Sequence, residues 1–290
     1  MVTVNLKGGL GNQLFQYAVG RSLAHKNADR LALDLTGLVR AQDKGDMYRK
    51  YALGAFSIKT STATASEAER AKNPYGLISK VWRAFSSKVL RQQHIGWEPN
   101  VFRKRGDVYL DGYWQSPKYF ADIRDYLLEE IVLTSPLSSA ANAFNSKIMS
   151  SEAVFIHIRR GDYVTDKKVR AINGTCSPDY YTRAILRTKE RISNPAWFVF
   201  SDDIAWVKTN LNLPVEATFV SDKSITDTEE LALMASCKHA IIANSTFSWW
   251  GAWLIQNPEK VVIAPSPWFD TKYDHHADLI PDSWTRLPKN

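Results

Sequence analysis

AVFIHIRRGDY, residues 153–163, is the stretch on which the fold turns. Its first six residues are apolar except for His157, a run short enough for a strand and continuous enough to be buried on both faces. Arg159, Arg160, a turn glycine at Gly161 and Asp162 follow directly. The same order recurs downstream: Trp197–Phe200 ends at Ser201-Asp202-Asp203, Thr218–Val220 at Ser221-Asp222, Ala240–Ala243 at Asn244-Ser245, and Val261–Ala264 at Pro265. Short apolar runs separated by helical segments predict an α/β fold with a parallel sheet covered on both faces. Ligands of such sheets sit beyond the carboxyl ends of the strands, where this chain places its polar clusters.

Upstream, Val2–Leu6 alternates like a strand, a glycine turn follows at Gly8, Gly9 and Gly11, Leu14–Leu23 has helical spacing, and Arg30–Leu35 reads as a second strand ending near Asp34. Strand, glycine loop and helix together invite a dinucleotide-binding reading. The third glycine of that fingerprint is Leu14 here, which argues against a nicotinamide or flavin cofactor. Between Ala41 and Asn100 the pattern weakens: Ser61, Thr62, Thr64 and Ser66 suggest a loop, and Ile78, Val81, Trp82, Phe85, Val89 and Leu90 fall on one face of an expected helix. LTSPLSS, residues 133–139, reads as a break followed by a helix, so two domains are expected, 1–145 and 146–290.

With 290 residues, 44% of them hydrophobic, the chain can bury one large core or two smaller ones, which excludes a disordered or fibrous protein. A formal net charge of +7 implies an anionic partner without choosing among phosphate, nucleotide, nucleic acid and membrane. Two cysteines, Cys176 and Cys237, cannot make a disulfide scaffold or a cysteine-rich zinc site, and read as buried thiols of a reducing compartment. No stretch approaches the roughly 20 apolar residues of a membrane span, so a cytoplasmic location is expected.

Three clusters carry candidate chemistry. Adjacent guanidiniums at Arg159 and Arg160 suit a diphosphate, with His157 on the same side of the strand as Arg159. The plainer alternative pairs Arg160 with Asp162 and leaves Arg159 in solvent. Asn244, Ser245, Thr246, Phe247 and Ser248 stand where a strand meets an apolar helix, offering hydroxyls and helix-start amides to an anion; Trp249, Trp250 and Trp253 behind them read as core. Asp202 and Asp203 can accept hydrogen bonds from a guanine edge or simply cap the next helix. There is no Asp-x-Asp pair, no His-Glu-x-x-His and no P-loop lysine, so a metal-held nucleotide is not expected.

GGLGNQLFQYA, HIRRGDY and ANSTFSWWGAW, in this order, closely resemble the alpha-1,2-fucosyltransferase family of bacterial type, glycosyltransferase family eleven. CSPDYY from Cys176, FSDD from Phe200 and VVIAP from Val261 extend the resemblance. It implies a GT-B-like architecture of two Rossmann-like domains facing a cleft, and inverting transfer of L-fucose from GDP-fucose to the 2-hydroxyl of a terminal galactose, with no metal and no cofactor. Carried onto this chain, Arg159 would hold the diphosphate, with His157 and Asp202 or Asp203 near the guanosine and Arg160 among the substrate-binding residues. Ser245, Thr246 and Ser248 would supply hydroxyl and amide contacts to the phosphates, with Asn244 and Phe247 also in the substrate-binding set, and Gly9, Gly11, Asn12 and Gln13 would face fucose and acceptor. Asp162, or alternatively Asp166, is the candidate general base.

Ser79–Arg105 holds seven basic residues against Glu98 alone, a face that fits either plain solvation or peripheral docking on an anionic membrane bearing a lipid-linked acceptor glycan. Nucleic acid is not an expected partner, because the aromatic residues read as helical and buried, which counts against a stacking platform. A non-catalytic nucleotide-sugar or glycan-binding module, or a fucosyltransferase of different linkage, are the alternatives.

Overall fold

In the computed structural model, which describes residues 1–38, 50–72, 88–270 and 277–290, the chain forms two units: Met1–Thr134 with His276–Leu279, and Ser135–His275 with Ile280–Asn290. The first contains β1 (Val2–Asn5), α1 (Leu10–Asn27), β2 (Leu31–Asp34), β3 (Ser61–Thr62), α2 (Ala65–Lys72), β4 (Val89–Arg91), β5 (Val108–Asp111) and α3 (Arg124–Glu130). Its strands are all parallel, in the order β3-β2-β1-β5-β4. The glycine turn works as a reversal: Gly8 sits at φ +79°, where a side chain is strained, and Gly9 accepts the first helical bonds from the amides of Asn12 and Gln13, both 3.0 Å. The close helix–strand approach comes later than the fingerprint logic places it. A Cβ on Gly20 would lie 2.4 Å from Val4 and 2.8 Å from Leu31, so Gly20 lets α1 settle on β1 and β2.

Two expectations for this unit change. The expected loop around Ser61–Ser66 contains β3 and the start of α2, because Thr64 and Glu67 form reciprocal bonds: the Thr64 amide donates to the Glu67 carboxylate at 2.8 Å and the Glu67 amide to Thr64 Oγ1 at 3.3 Å. Of the expected apolar helix, Ile78, Val81, Trp82 and Phe85 lie outside the described residues, while Val89 and Leu90 belong to β4 and pair with Tyr109 and Leu110. The boundary also moves: residue 145 falls inside the helix Ser139–Met149, which belongs wholly to the second unit, and Ser138 caps that helix by accepting the Ala141 amide at 3.2 Å.

The second unit runs α4 (Ser139–Met149), β6 (Ala153–Ile158), α5 (Gly161–Thr165), α6 (Lys167–Asn173), α7 (Pro178–Lys189), β7 (Ala196–Ser201), α8 (Ile204–Asn210), β8 (Thr218–Phe219), α9 (Asp227–Ser236), β9 (His239–Ile241), α10 (Thr246–Leu254), β10 (Val262–Ser266) and β11 (Thr285–Pro288). Six parallel strands lie in the order β11-β10-β9-β6-β7-β8. Every residue of β6 is buried, His157 included, as a strand covered on both faces requires. Trp249 and Trp250 are fully buried and Trp253 nearly so, so the tryptophans of α10 are core.

Strand order locates the ligand edge. From β6 the chain adds β7 and β8 on one side, then returns to place β9 on the other, so the carboxyl ends of β6 and β9 flank a topological switch point where no crossover covers the sheet. In the first unit the corresponding point lies between β1 and β5.

Candidate active site

Arg159 and Arg160 follow the last residue of β6, and three carboxylates hold them apart. Arg159 Nη2 donates to Asp162 at 2.6 Å and its Nη1 lies 2.8 Å from Asp202. Burial alone would lower the guanidinium's affinity for its proton, but the charges of Asp202 and Asp162 more than offset this, so Arg159 stays cationic. A guanidinium has five N–H donors and these contacts engage two of its nitrogens, so donors remain for an incoming anion. Arg160 turns the other way: its Nε donates to Asp203 at 3.1 Å and its guanidinium lies 3.7 Å from the ring centre of Trp206 on α8. The expected pairing of Arg160 with Asp162 is therefore not formed; Asp162 pairs with Arg159, and Arg159 is not left in solvent.

The strand-end carboxylates do double work. Asp202 accepts the Arg160 amide at 2.9 Å as well as meeting Arg159, and Asp203 caps α8 by accepting the Trp206 amide at 3.1 Å. Gly161 is required by this crowding, since a Cβ there would stand 2.5 Å from Asp202. His157, also fully enclosed, has its pKa pushed down to about 3 by burial and by the Arg159 charge, so it is neutral, and its Nδ1 has no hydrogen-bond partner. Its ring centre is 5.7 Å from that of Phe247, which ties the end of β6 to the start of α10.

The Asn244–Ser248 segment divides. Ser245 is the N-cap of α10, and Thr246 and Phe247 are half-buried at its first turn, where helix-start amides and the positive end of the helix favour an anion. Asn244 and Ser248 face inward instead. The Asn244 amide donates to the carbonyls of Asn173 at 2.7 Å and Trp268 at 3.1 Å, and Ser248 Oγ donates back to Ala243 and Ser245. Their side chains are consumed by the fold, because buried carbonyls at this strand end need donors. Tyr163, to which the sequence reading assigns no role, donates from its hydroxyl to the Asn244 carbonyl at 3.0 Å, while Arg159 lies 5.8 Å from its ring centre. Asp166, the alternative base, is exposed and caps α6 through the amides of Lys168 and Val169.

Glu230 on α9 is a further residue without a local sequence signal. Burial, then the charges of Asp227 and Asp202, push its carboxyl up to about 7, against a lowering contact from Ser221. An acidic residue in a helix's first turn reads as a solvated or dipole-matching group, so only the fold reveals that its charge meets that of Asp202, one of the carboxylates bracing Arg159.

At the first unit's switch point the charges are reversed. Asp111, closing β5, accepts from Asn5 at 3.1 Å and from Lys7 at 3.0 Å, and Lys7 lies 5.0 Å from the ring centre of the exposed Tyr113. Asn12 accepts from Gln115 at 2.9 Å and is half-buried, and Gly9 has open space where a Cβ would be. Gly11 and Gln13 are buried, and Gln13 stitches the loop by donating to the carbonyls of Gly8 and Lys50 and accepting the Ala52 amide. Asp34, where a ribose-binding carboxylate of a dinucleotide domain would stand, is fully buried and taken up by Lys72 at 2.7 Å, Tyr109 at 2.6 Å and the Thr36 amide. Among the described residues, no three His, Cys, Asp or Glu side chains gather in a metal-holding group, and no helix is long and apolar enough to cross a membrane.

Residues 76–287 match the model of "Glycosyl transferase family 11". An alpha-1,2-colitosyltransferase of Escherichia coli is 34% identical, across 100% of this chain and 99% of its own length. A galactoside 2-alpha-L-fucosyltransferase of Mus musculus, Sec1, is 25% identical, across 97% of this chain and 73% of its own. Among solved structures, that of NodZ alpha-1,6-fucosyltransferase soaked with GDP-fucose aligns at a TM-score of 0.53 and 15% identity, over 88% of this chain and 92% of that one, a likeness of fold of the GT-B type.

Proposed function

The chain belongs to glycosyl transferase family 11, and from that membership and the guanidinium of Arg159 we propose that it transfers L-fucose from GDP-fucose to the 2-hydroxyl of a terminal galactose. The observation that carries the reading is Arg159, cationic and braced by Asp162 and Asp202, beside the start of α10 at a switch point. The galactose hydroxyl attacks the anomeric carbon opposite to GDP, a carbon–oxygen bond forms as the bond to the phosphate oxygen breaks, and configuration inverts. The leaving diphosphate gathers negative charge, which Arg159 and the amides of Ser245 and Thr246 meet, so no metal is required on this reading. On this reading Asp162 takes the hydroxyl proton. Asp202, Asp203 and Glu230 supply acceptors for the guanosine.

The first unit is the acceptor side on this reading: Tyr113 offers a ring to a sugar face, and Asp111, Lys7 and Asn12 offer partners to hydroxyls. The acceptor is free or lipid-linked, and action at the cytoplasmic face of a membrane would employ the basic run, of which Lys88, Arg91, Arg103, Lys104 and Arg105 lie among the described residues. Sedimentation with anionic liposomes at low salt tests that contact; protein left wholly in the supernatant removes it.

The similarity to a colitosyltransferase favours a second donor. Colitose lacks one hydroxyl of fucose, and a site built to bond that hydroxyl rejects the sugar without it strongly, whereas a permissive pocket does not. The deciding assay offers GDP-fucose and GDP-colitose with galactose-terminated glycans, with and without EDTA, to wild type and Arg159→Ala. The proposal requires fucose transfer that survives EDTA and collapses in the variant. Transfer of colitose alone selects the second donor, and binding of GDP-fucose without transfer selects a non-catalytic module.

A further inference from the structure

Lys289 is fully buried, far from Arg159 in sequence, and plays no part in the chemistry above. Its Nζ pairs with Asp270 and donates to the Asn173 carbonyl at 2.7 Å. That same carbonyl accepts the Asn244 amide at 2.7 Å, so one oxygen with two lone pairs serves both donors. Asn244 also donates to Trp268, and its own carbonyl accepts Tyr163, the ring beside Arg159. The backbone joins in: the Asp270 amide donates to Ile172 at 2.8 Å and the Ser177 amide to Lys289 at 3.0 Å. Gly174 belongs to the same joint, at φ +59°, with Asp270 occupying the space a Cβ would need. A chain of direct contacts thus runs from Lys289 and Asp270 through Asn173 to Asn244, the residue preceding the α10 cap, and on to Tyr163.

We propose that Lys289, with Asp270, is a positioning residue of the donor site: it fixes the Asn173 carbonyl that orients Asn244, and so sets the start of α10 and Tyr163 against Arg159. The inference rests on the reading that this edge of the second sheet takes a nucleoside diphosphate. A buried ammonium is costly to keep unless it is paired, and Asp270 with the Asn173 carbonyl meets that need. Loss of the pair frees the 173–176 loop and lets Asn244 swing.

The test compares full-length wild type, Lys289→Met and Asp270→Asn by calorimetric titration with GDP and by donor and acceptor KM, well below each variant's Tm. Each variant is expected to weaken GDP binding and raise donor KM by about tenfold while acceptor KM moves little. The double variant should be no worse than the worse single one, since both act on one joint. Lys238→Met, which breaks the Lys238–Glu152 pair at the amino end of β9, lowers Tm but leaves GDP affinity unchanged. Folded Lys289→Met or Asp270→Asn with wild-type GDP affinity overturns the proposal, and if Lys289→Met does not fold, Asp270→Asn decides alone. Absence of GDP binding by wild type instead removes the donor-site reading on which it rests.

Discussion

Two sheet edges of the same kind carry opposite charges. At the first, carboxylates are the central groups and cations or amides brace them, Asp34 by Lys72 and Asp111 by Lys7 and Asn5. At the second, guanidiniums are central and carboxylates brace them, Arg159 by Asp162 and Asp202, Arg160 by Asp203. Both edges come from parallel strands with a switch point, so topology supplies a crevice in each and leaves its chemistry open. What each crevice can take follows from which charge is central: acceptors for hydroxyls in the first, donors for an anion in the second.

The comparison breaks most directly at Arg159. Arg159→Ala should lower kcat/KM for the GDP-sugar by about 10²–10³-fold, the range seen when a preorganised donor to developing charge is removed. Arg159→Lys should recover little, because a single ammonium cannot reach Asp162, Asp202 and a diphosphate together. Retention of activity within a few-fold in either would dissolve the contrast between the edges.

The next effect is on stability. Asp34→Ala should cost about 3 kcal/mol in denaturant unfolding, since Lys72 and the Tyr109 hydroxyl lose their partner, while the folded variant binds GDP as wild type does. A fall in GDP affinity would mean that the first edge also handles nucleotide.

Asp111→Ala should raise acceptor KM roughly tenfold with donor KM unchanged, a loss of binding shared by ground and transition states. An unchanged acceptor KM would detach Lys7, Asp111 and Tyr113 from the sugar.

The smallest effect is a pH dependence. With the Glu230 carboxyl pushed up to about 7 by burial and by Asp227 and Asp202, the folded chain holds a proton that the unfolded chain releases near the ordinary carboxylate value of 4.5. Its contribution to stability is full below that value and lost as pH rises to about 7. Glu230→Gln should therefore raise Tm relative to wild type more at pH 8 than at pH 5, and an equal difference at both would deny the shift.

Much of the second unit was legible because β6, β7, β9 and β10 are apolar runs bounded by polar turns, a signal that burial on both faces imposes on any parallel strand. The tryptophans of α10 were legible as core for the same reason. β3, β4 and β11 escaped: they are short, at or near sheet edges, and carry residues such as Arg91 and Arg286 whose polarity hides the strand. Within the candidate site, residue types at strand ends point to Arg159, Asp202 and Ser245, but which guanidinium meets which carboxylate depends on the direction of each side chain around Gly161. In sequence Asn244 reads as one of a polar cluster offered to a ligand; the carbonyls that claim it, on Asn173 and Trp268, lie 71 and 24 residues away. Glu230 and Lys289 gave no local sign, since their environments are assembled from α9 and the loops after β7 and β8 in one case, and from β11 and the loop after β10 in the other.

The central claim is that the second edge, and not the first, holds the nucleoside diphosphate. Calorimetric titration of GDP into wild type, Arg159→Ala and Asp111→Ala, side by side, tests it most directly. The account predicts equal affinity for wild type and Asp111→Ala, and at least a tenfold loss for Arg159→Ala, from the removal of a charge-assisted bond to phosphate worth about 1.5–3 kcal/mol. Undiminished binding by Arg159→Ala, or a comparable loss in Asp111→Ala, would contradict it.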